Sequence, residues 1–245
     1  MATQGNNTVK FGITQSFSCS YLPDEQEQLL VYADVDEFLS WRYAQLIQAG
    51  FRRSGEQIYR PHCASCTACQ SVRIPVNQFT PSRSQKRILN ANKRFYIAFS
   101  QTPHDSYYPL YERYISQRHT DGSMYPPSRE QFDNFLFCDW MPTLFVEAYD
   151  GDKLIAVAVT DVVDAIEPLS ALSALYTFFD PDYTKSSLGT WMILMQIEKA
   201  KSLACQYLYL GYFVKGCQKM SYKHNFLPFE QFEGNEWHLF DKKPT

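Results

Sequence analysis

Three cysteines stand at Cys63-x2-Cys66-x2-Cys69 in a chain of 245 residues that has seven cysteines in all. That spacing and the odd total favour a metal or redox role and reduced thiols over a disulfide framework. A tetrahedral zinc or an iron–sulfur cluster takes four ligands, and Cys19 or His62 is available as the fourth. Small thiols packed in a core are the plainer alternative. A second chemical stretch is 211–223, dense in groups that donate to an oxyanion or a phosphate. Lys219 and Lys223 are spaced i,i+4, so on a helix they share one face with Tyr222 beside it, and Tyr209 and Tyr212 add aromatic surface before it. Such a face suits the 3′ end of an RNA. Its competitor is a solvated lysine face over a tyrosine-lined core. A third group, Arg118, His119 and Asp121, sits where a helix gives way to a turn at Gly122. Arg118 can fork onto an incoming carboxylate, and His119 or Asp121 can orient or deprotonate an amine. A histidine at a helix C-terminus is also an ordinary dipole partner.

Charge is segregated along the chain. Residues 57–104 hold no Asp or Glu but carry Arg60, Arg73, Arg83, Lys86, Arg87, Lys93 and Arg94. A second acid-free run, 199–229, carries Lys199, Lys201, Lys215, Lys219 and Lys223. With +7 and +5 set against a total of −3, the other residues sum to −15. This separation points to a polyanionic partner on one face. No run approaches the length of a membrane span, and the polar N-terminus lacks the apolar core of a signal peptide, so the cytosol is the expected compartment.

The elements that must hold these groups follow from periodicity and punctuation. A helix is predicted over 36–48, stopped by Gly50. Residues 11–78 read as a small cysteine-bearing N-terminal domain, with the proline-containing stretch 75–83 as its exit, and 79–245 as the second domain. In the latter a strand over 94–100 precedes helices over 107–117 and from the Ser128 cap to 138. A hairpin follows over 143–162 around Asp150-Gly151, then a strand over 171–179, a helix over 188–204 capped by Ser186 or Ser187, and a strand over 206–214. A short helix comes last. This is the order of the GNAT acyltransferase fold, an α+β architecture with a mixed, mainly antiparallel sheet. In that fold a slot for acyl donor and amine opens between the fourth and fifth strands, here 171–179 and 206–214. A CoA-using member would need a glycine-rich turn before the long helix, where this chain offers only Gly189 after Lys185-Ser-Ser-Leu.

Five segments together, 50–55 (GFRRSG), 59–69 (YRPHCASCTAC), 81–87 (PSRSQKR), 118–124 (RHTDGSM) and 211–223 (GYFVKGCQKMSYK), resemble the bacterial, leucine-transferring branch of the arginyl-tRNA–protein transferase family. The resemblance runs from about Cys19 to Glu230. It implies transfer of leucine from Leu-tRNA to proteins with N-terminal Asp or Glu, marking them for degradation. The implied partners are aminoacyl-tRNA and those proteins, with no membrane and no DNA. An aminoacyl ester is already activated, so transfer requires no cofactor, and zinc or an iron–sulfur cluster at Cys19, Cys63, Cys66 and Cys69 would be an addition. Lys219, Tyr222 and Asp121 are the expected catalytic groups. Arg83, Lys86, Arg87 and Lys223 are the expected tRNA contacts, Tyr209 and Tyr212 stacking surface, and Arg118 with His119 the acceptor site. Arginine as donor, a CoA-dependent N-acetyltransferase and a zinc-dependent RNA-binding protein are the competing readings.

Overall fold

The computed structural model describes residues 9–34, 37–163 and 170–243. The N-terminal part supplies β1 (Phe11–Ile13), β2 (Phe17–Ser18), β3 (Gln26–Glu27), β4 (Leu29–Tyr32), α1 (Leu39–Leu46), β5 (Arg52–Ser54), β6 (Gln57–Pro61) and β7 (Cys69–Pro75). Then come α2 (Arg83–Ala91), β8 (Tyr96–Ser100), α3 (Tyr107–Arg118), α4 (Arg129–Leu136), β9 (Thr143–Asp150), β10 (Lys153–Val163) and β11 (Ala171–Phe179). The chain ends with α5 (Leu188–Ser202), β12 (Tyr207–Val214), β13 (Phe229–Glu233) and β14 (Glu236–Phe240).

Eight strands form the main sheet in the order β14-β13-β7-β12-β11-β10-β9-β8, and β11 with β12 is its parallel pair. The mixed, mainly antiparallel α+β sheet is therefore present, with helices on both faces. Alternation along β10 assigns the faces, because successive side chains in a strand point opposite ways. Ala156 and Ala158 pack with Trp191 and Met192 of α5, and Val157 and Val159 pack with Tyr111 and Ile115 of α3 and Phe132 of α4. Tyr43, Ala44 and Ile47 lie against Val163, Ala171 and Tyr209, which fixes the N-terminal part on the α3 side of the sheet.

Several expectations need amendment. The first helix is described from Leu39 to Leu46, continues as a 3₁₀ turn to Ala49, and is closed by Gly50 at φ 82°; Asp36, its expected start, lies outside the described residues. Strands β1, β4, β6 and β5 build a sheet of their own that periodicity did not reveal. The segment 11–78 also contributes β7 to the main sheet, between β12 and β13, so its last strand is shared. Residues 83–91 form a helix closed by a Ser82/Gln85 capping box. The short helix after β12 is 3₁₀, from Gln218 to Asn225.

Candidate active site

Parallel pairing between β11 and β12 runs through Ala171↔Tyr207, Leu172↔Leu208 and Ser173↔Tyr209, and then stops. Beyond it β12 bulges at Leu210 and continues against β7 alone, with Gly211 at φ +81°. Two cations occupy the floor of the resulting splay. Arg52, from β5, donates through Nη2 to the Ala174 carbonyl at 2.7 Å, and the Lys223 ammonium donates to the Tyr212 carbonyl. Each residue is 4% exposed. A Cβ on Gly211 would sit 3.7 Å from Arg52 Nη2 and 3.8 Å from Lys223 Nζ, so both head groups come up to this glycine. Its positive φ excludes most side chains in any case. Burial pushes the Lys223 amine down to about 7, and the Arg52 charge pushes it the same way. Arg52 Nη1 has no hydrogen-bond partner. The adjacent Arg53 leaves the strand on the opposite side and meets the buried Asp161 carboxylate through Nε at 3.0 Å and through Nη2.

The walls and mouth of the splay are aromatic. Tyr114 of α3, Tyr176 of β11 and Tyr222 sense one another's hydroxyls, and desolvation raises the pKa of all three, Tyr222 to about 12 although it is still 41% exposed. At the mouth Lys219 Nζ and an Asp121 carboxylate oxygen are 2.7 Å apart, both side chains 67% exposed. His119 stands edge-on to Tyr114 at 4.8 Å, and Arg118 lies 5.4 Å over the Phe179 ring. Burial first, then Lys219 and Arg118, lowers the His119 pKa. The Lys219 hydrogen bond lowers that of Asp121. Arg118, His119, Asp121, Lys219 and Tyr222 thus share one neighbourhood at the mouth.

Three other expected residues do not offer the surface assigned to them. Lys223 shares no exposed face with Lys219, because the segment is 3₁₀ and its ammonium turns inward. Tyr209 is 2% exposed, its hydroxyl accepting from Arg73 Nη1 at 3.1 Å. The Tyr212 hydroxyl donates to the Gly50 carbonyl at 2.9 Å and packs the ring onto the N-terminal part. Neither tyrosine is a free stacking platform. Gly189, the lone glycine of the weak CoA-type turn, sits where a Cβ would approach Phe179 to 3.4 Å, so helix–strand packing accounts for it. The Ser187 side chain makes no capping hydrogen bond.

Helix α2 presents Arg83, Lys86 and Arg87 to solvent, with Lys93 and Arg94 just beyond. Among the described residues none of the five pairs with a carboxylate. The opposite face is anchored: Gln85 donates to the Asn225 carbonyl at 3.1 Å, and Asn92 to the Ser186 carbonyl at 2.8 Å. The basic face is thereby tied to the end of the 3₁₀ segment that carries Lys219.

Cys19, Cys63, Cys66 and Cys69 line one cavity of about 490 Å³ beside Tyr212, and none is in a disulfide. Burial pushes the Cys69 thiol up to about 12, and Cys19, Cys63, Glu27 and Cys66 add to it. Among the described residues no three His, Cys, Asp or Glu side chains stand in a metal-holding geometry.

Residues 17–87 match the family model described as arginine-tRNA-protein transferase, N terminus, and residues 106–233 match its C-terminus counterpart. The chain belongs to the arginine-tRNA-protein transferase family. Within the family it is 52% identical to the aspartate/glutamate leucyltransferase of Pseudoalteromonas atlantica, covering 96% of this chain and 99% of that one. It is 51% identical to the protein of the same name from Aeromonas salmonicida, covering 96% and 97%. Among solved structures, L-PGS from Bacillus licheniformis superposes with a TM-score of 0.47 at 10% identity, over 73% of this chain and 61% of that protein. For this transferase chain, sequence reasoning left Arg52 without a role. The signal was the pair Arg52-Arg53, since two arginines adjacent in a strand must face opposite ways.

Proposed function

We propose that the chain transfers leucine from leucyl-tRNA to the N-terminal amine of proteins that begin with Asp or Glu. The observation carrying this reading is 52% identity over nearly the whole length with a relative named aspartate/glutamate leucyltransferase, on a sheet that opens into a slot beside a basic helix face. The work belongs in the cytosol, where charged tRNA is available, and the leucine added marks the acceptor for degradation. The described residues contain no helix long and apolar enough to cross a membrane.

The chemistry is aminolysis of an activated ester, so alignment and charge stabilisation supply most of the rate. Arg83, Lys86 and Arg87 take phosphates of the tRNA near its acceptor end. The acceptor amine attacks the ester carbonyl while Lys219, held by Asp121, and the Tyr222 hydroxyl stabilise the oxyanion. His119 is the proton carrier, because burial, with Lys219 and Arg118 beside it, favours its neutral form, whereas Asp121 is committed to Lys219. It takes the proton of the amine and returns it to the ribose oxygen as the C–O bond breaks. The four thiols are a soft donor set of the right number for zinc or an iron–sulfur cluster, although no three of them stand in a metal-holding geometry in this structure. Metal content per chain, measured against the number of titratable thiols, tests that part.

Transfer of labelled leucine or arginine from charged tRNA to peptides beginning Asp, Glu or Lys tests the whole. Leucine moving only to the Asp and Glu peptides is the expected result; arginine as donor would replace the donor, and no transfer would end the reading. His119→Gln should lower kcat on the order of 100-fold. It should also remove the fall in rate as pH drops below the ordinary histidine range, and an unchanged acid limb would show that another group carries the proton.

A further inference from the structure

We propose that Arg52 and Lys223 together are the receptor for the side-chain carboxylate of the acceptor's first residue. The inference rests on the acceptor rule given above and assigns it to residues other than Arg118, which lies exposed on Phe179.

Four cationic side chains are buried among the described residues: Arg52, Arg53, Arg73 and Lys223. Arg53 is paired with Asp161 and Arg73 with Glu230. Arg52 and Lys223 have no carboxylate partner among the described residues, and each spends one donor on a backbone carbonyl of the splay. The groups facing them from neighbouring elements are hydroxyls and thiols: Tyr43 of α1, Tyr59 of β6, Cys69 of β7, Cys217 and Tyr222. Burying an unpaired guanidinium beside an amine that burial already drives toward its neutral form is costly, and a carboxylate between them would pair the first and hold the proton on the second. Arg52 Nη1, buried and without a partner, is a donor ready for that anion.

Place and shape select the anion. The two head groups lie where β11 and β12 part, and both approach Gly211, a position that carries no side chain. A guanidinium fork with an ammonium beside it matches a carboxylate carried on one or two methylenes. A phosphodiester backbone cannot thread a floor this buried and is better met by the exposed face of α2. Asn and Gln are refused because the amide NH2 would turn its donors toward donors.

The test compares wild type with Lys223→Met and Arg52→Gln, using peptides that differ only in Asp or Asn at the first position. The readouts are transfer kinetics, peptide binding by fluorescence anisotropy without tRNA, and Leu-tRNA affinity. Lys223→Met removes a buried charge and should fold, so its melting temperature serves as the control. The expected result is a preference for Asp over Asn that falls by about 100-fold. The loss should appear in KM and in tRNA-free peptide binding, with Leu-tRNA affinity unchanged. A preference that survives in both folded variants overturns the assignment, as does a loss confined to Leu-tRNA binding, which would make the pair a phosphate site. Wild-type protein that binds Asp peptides over Asn peptides yet transfers nothing would keep the receptor and end the leucyltransferase reading instead.

Discussion

The exposed face of α2 and the floor of the splay are both cationic without carboxylate partners among the described residues, yet water treats them differently. Arg83, Lys86 and Arg87 keep their hydration and are screened by salt, so they can attract a polyanion over a distance but distinguish little about it. Arg52 and Lys223 have lost their hydration, so they act only at contact and distinguish sharply between a carboxylate and an amide. On the roles proposed above, one region recruits and the other selects.

The largest effect should come from making Arg53 resemble Arg52. Asp161→Asn strips the buried Arg53 of its partner, and urea unfolding should register a loss of roughly 3–5 kcal/mol. A loss below about 1 kcal/mol, the scale of an exposed pair, would mean that buried arginines sit comfortably here, and the contrast between the two would weaken.

Next is the pH dependence of stability. The Lys223 amine titrates near 7 in the folded chain and at its ordinary 10.5 when unfolded, so between those values the unfolded chain holds a proton that the folded chain has released. Stability from this group therefore rises with pH above 7, while below 7 the full penalty of the buried charge is present. The rise should be roughly 2 to 3 kcal/mol before the thiol range is reached. There Cys69 and Cys138, whose folded thiols are pushed up to about 12 and 11, act in the opposite direction. Lys223→Met should flatten the rise, as read by melting temperatures on either side of neutrality, and an unflattened curve would assign it to another group.

The smallest effect belongs to the recruiting face. Replacing Arg83, Lys86 and Arg87 together with Ala should weaken Leu-tRNA binding by on the order of 100-fold at low salt and reduce the salt slope by about 2. Melting temperature and the Asp-over-Asn ratio should hold. A changed ratio would merge the two regions into one site.

What could be read from the sequence divides along similar lines. The α3 helix, the β9–β10 hairpin, β11, α5 and β12 were legible because each is long enough for periodicity and is closed by a turn signal such as Asp150-Gly151. Strands β1 to β6 were not, since each spans only a few residues and is stabilised by partners rather than by its own pattern. Helix α2 had a legible start in Ser82-x-x-Gln85, masked by Pro75 and Pro81 on its approach. The mouth residues stood out in the sequence because they are polar and clustered in two short motifs. Lys223 was misread because i,i+4 neighbours share a face in an α-helix and not in a 3₁₀ segment. Arg52 could not be separated from Arg53 without knowing that Asp161, 108 residues further on, meets only one of them.

The strand that begins at Cys69 has a further consequence, for the order in which the protein comes into being. β7 leaves the ribosome well over a hundred residues before β12 and β13, between which it must be seated. Pairings of such long sequence separation form late and slowly. The slot, the receptor and the basic face therefore come into register only when synthesis is nearly complete, so a nascent or truncated chain has no partial version of this site.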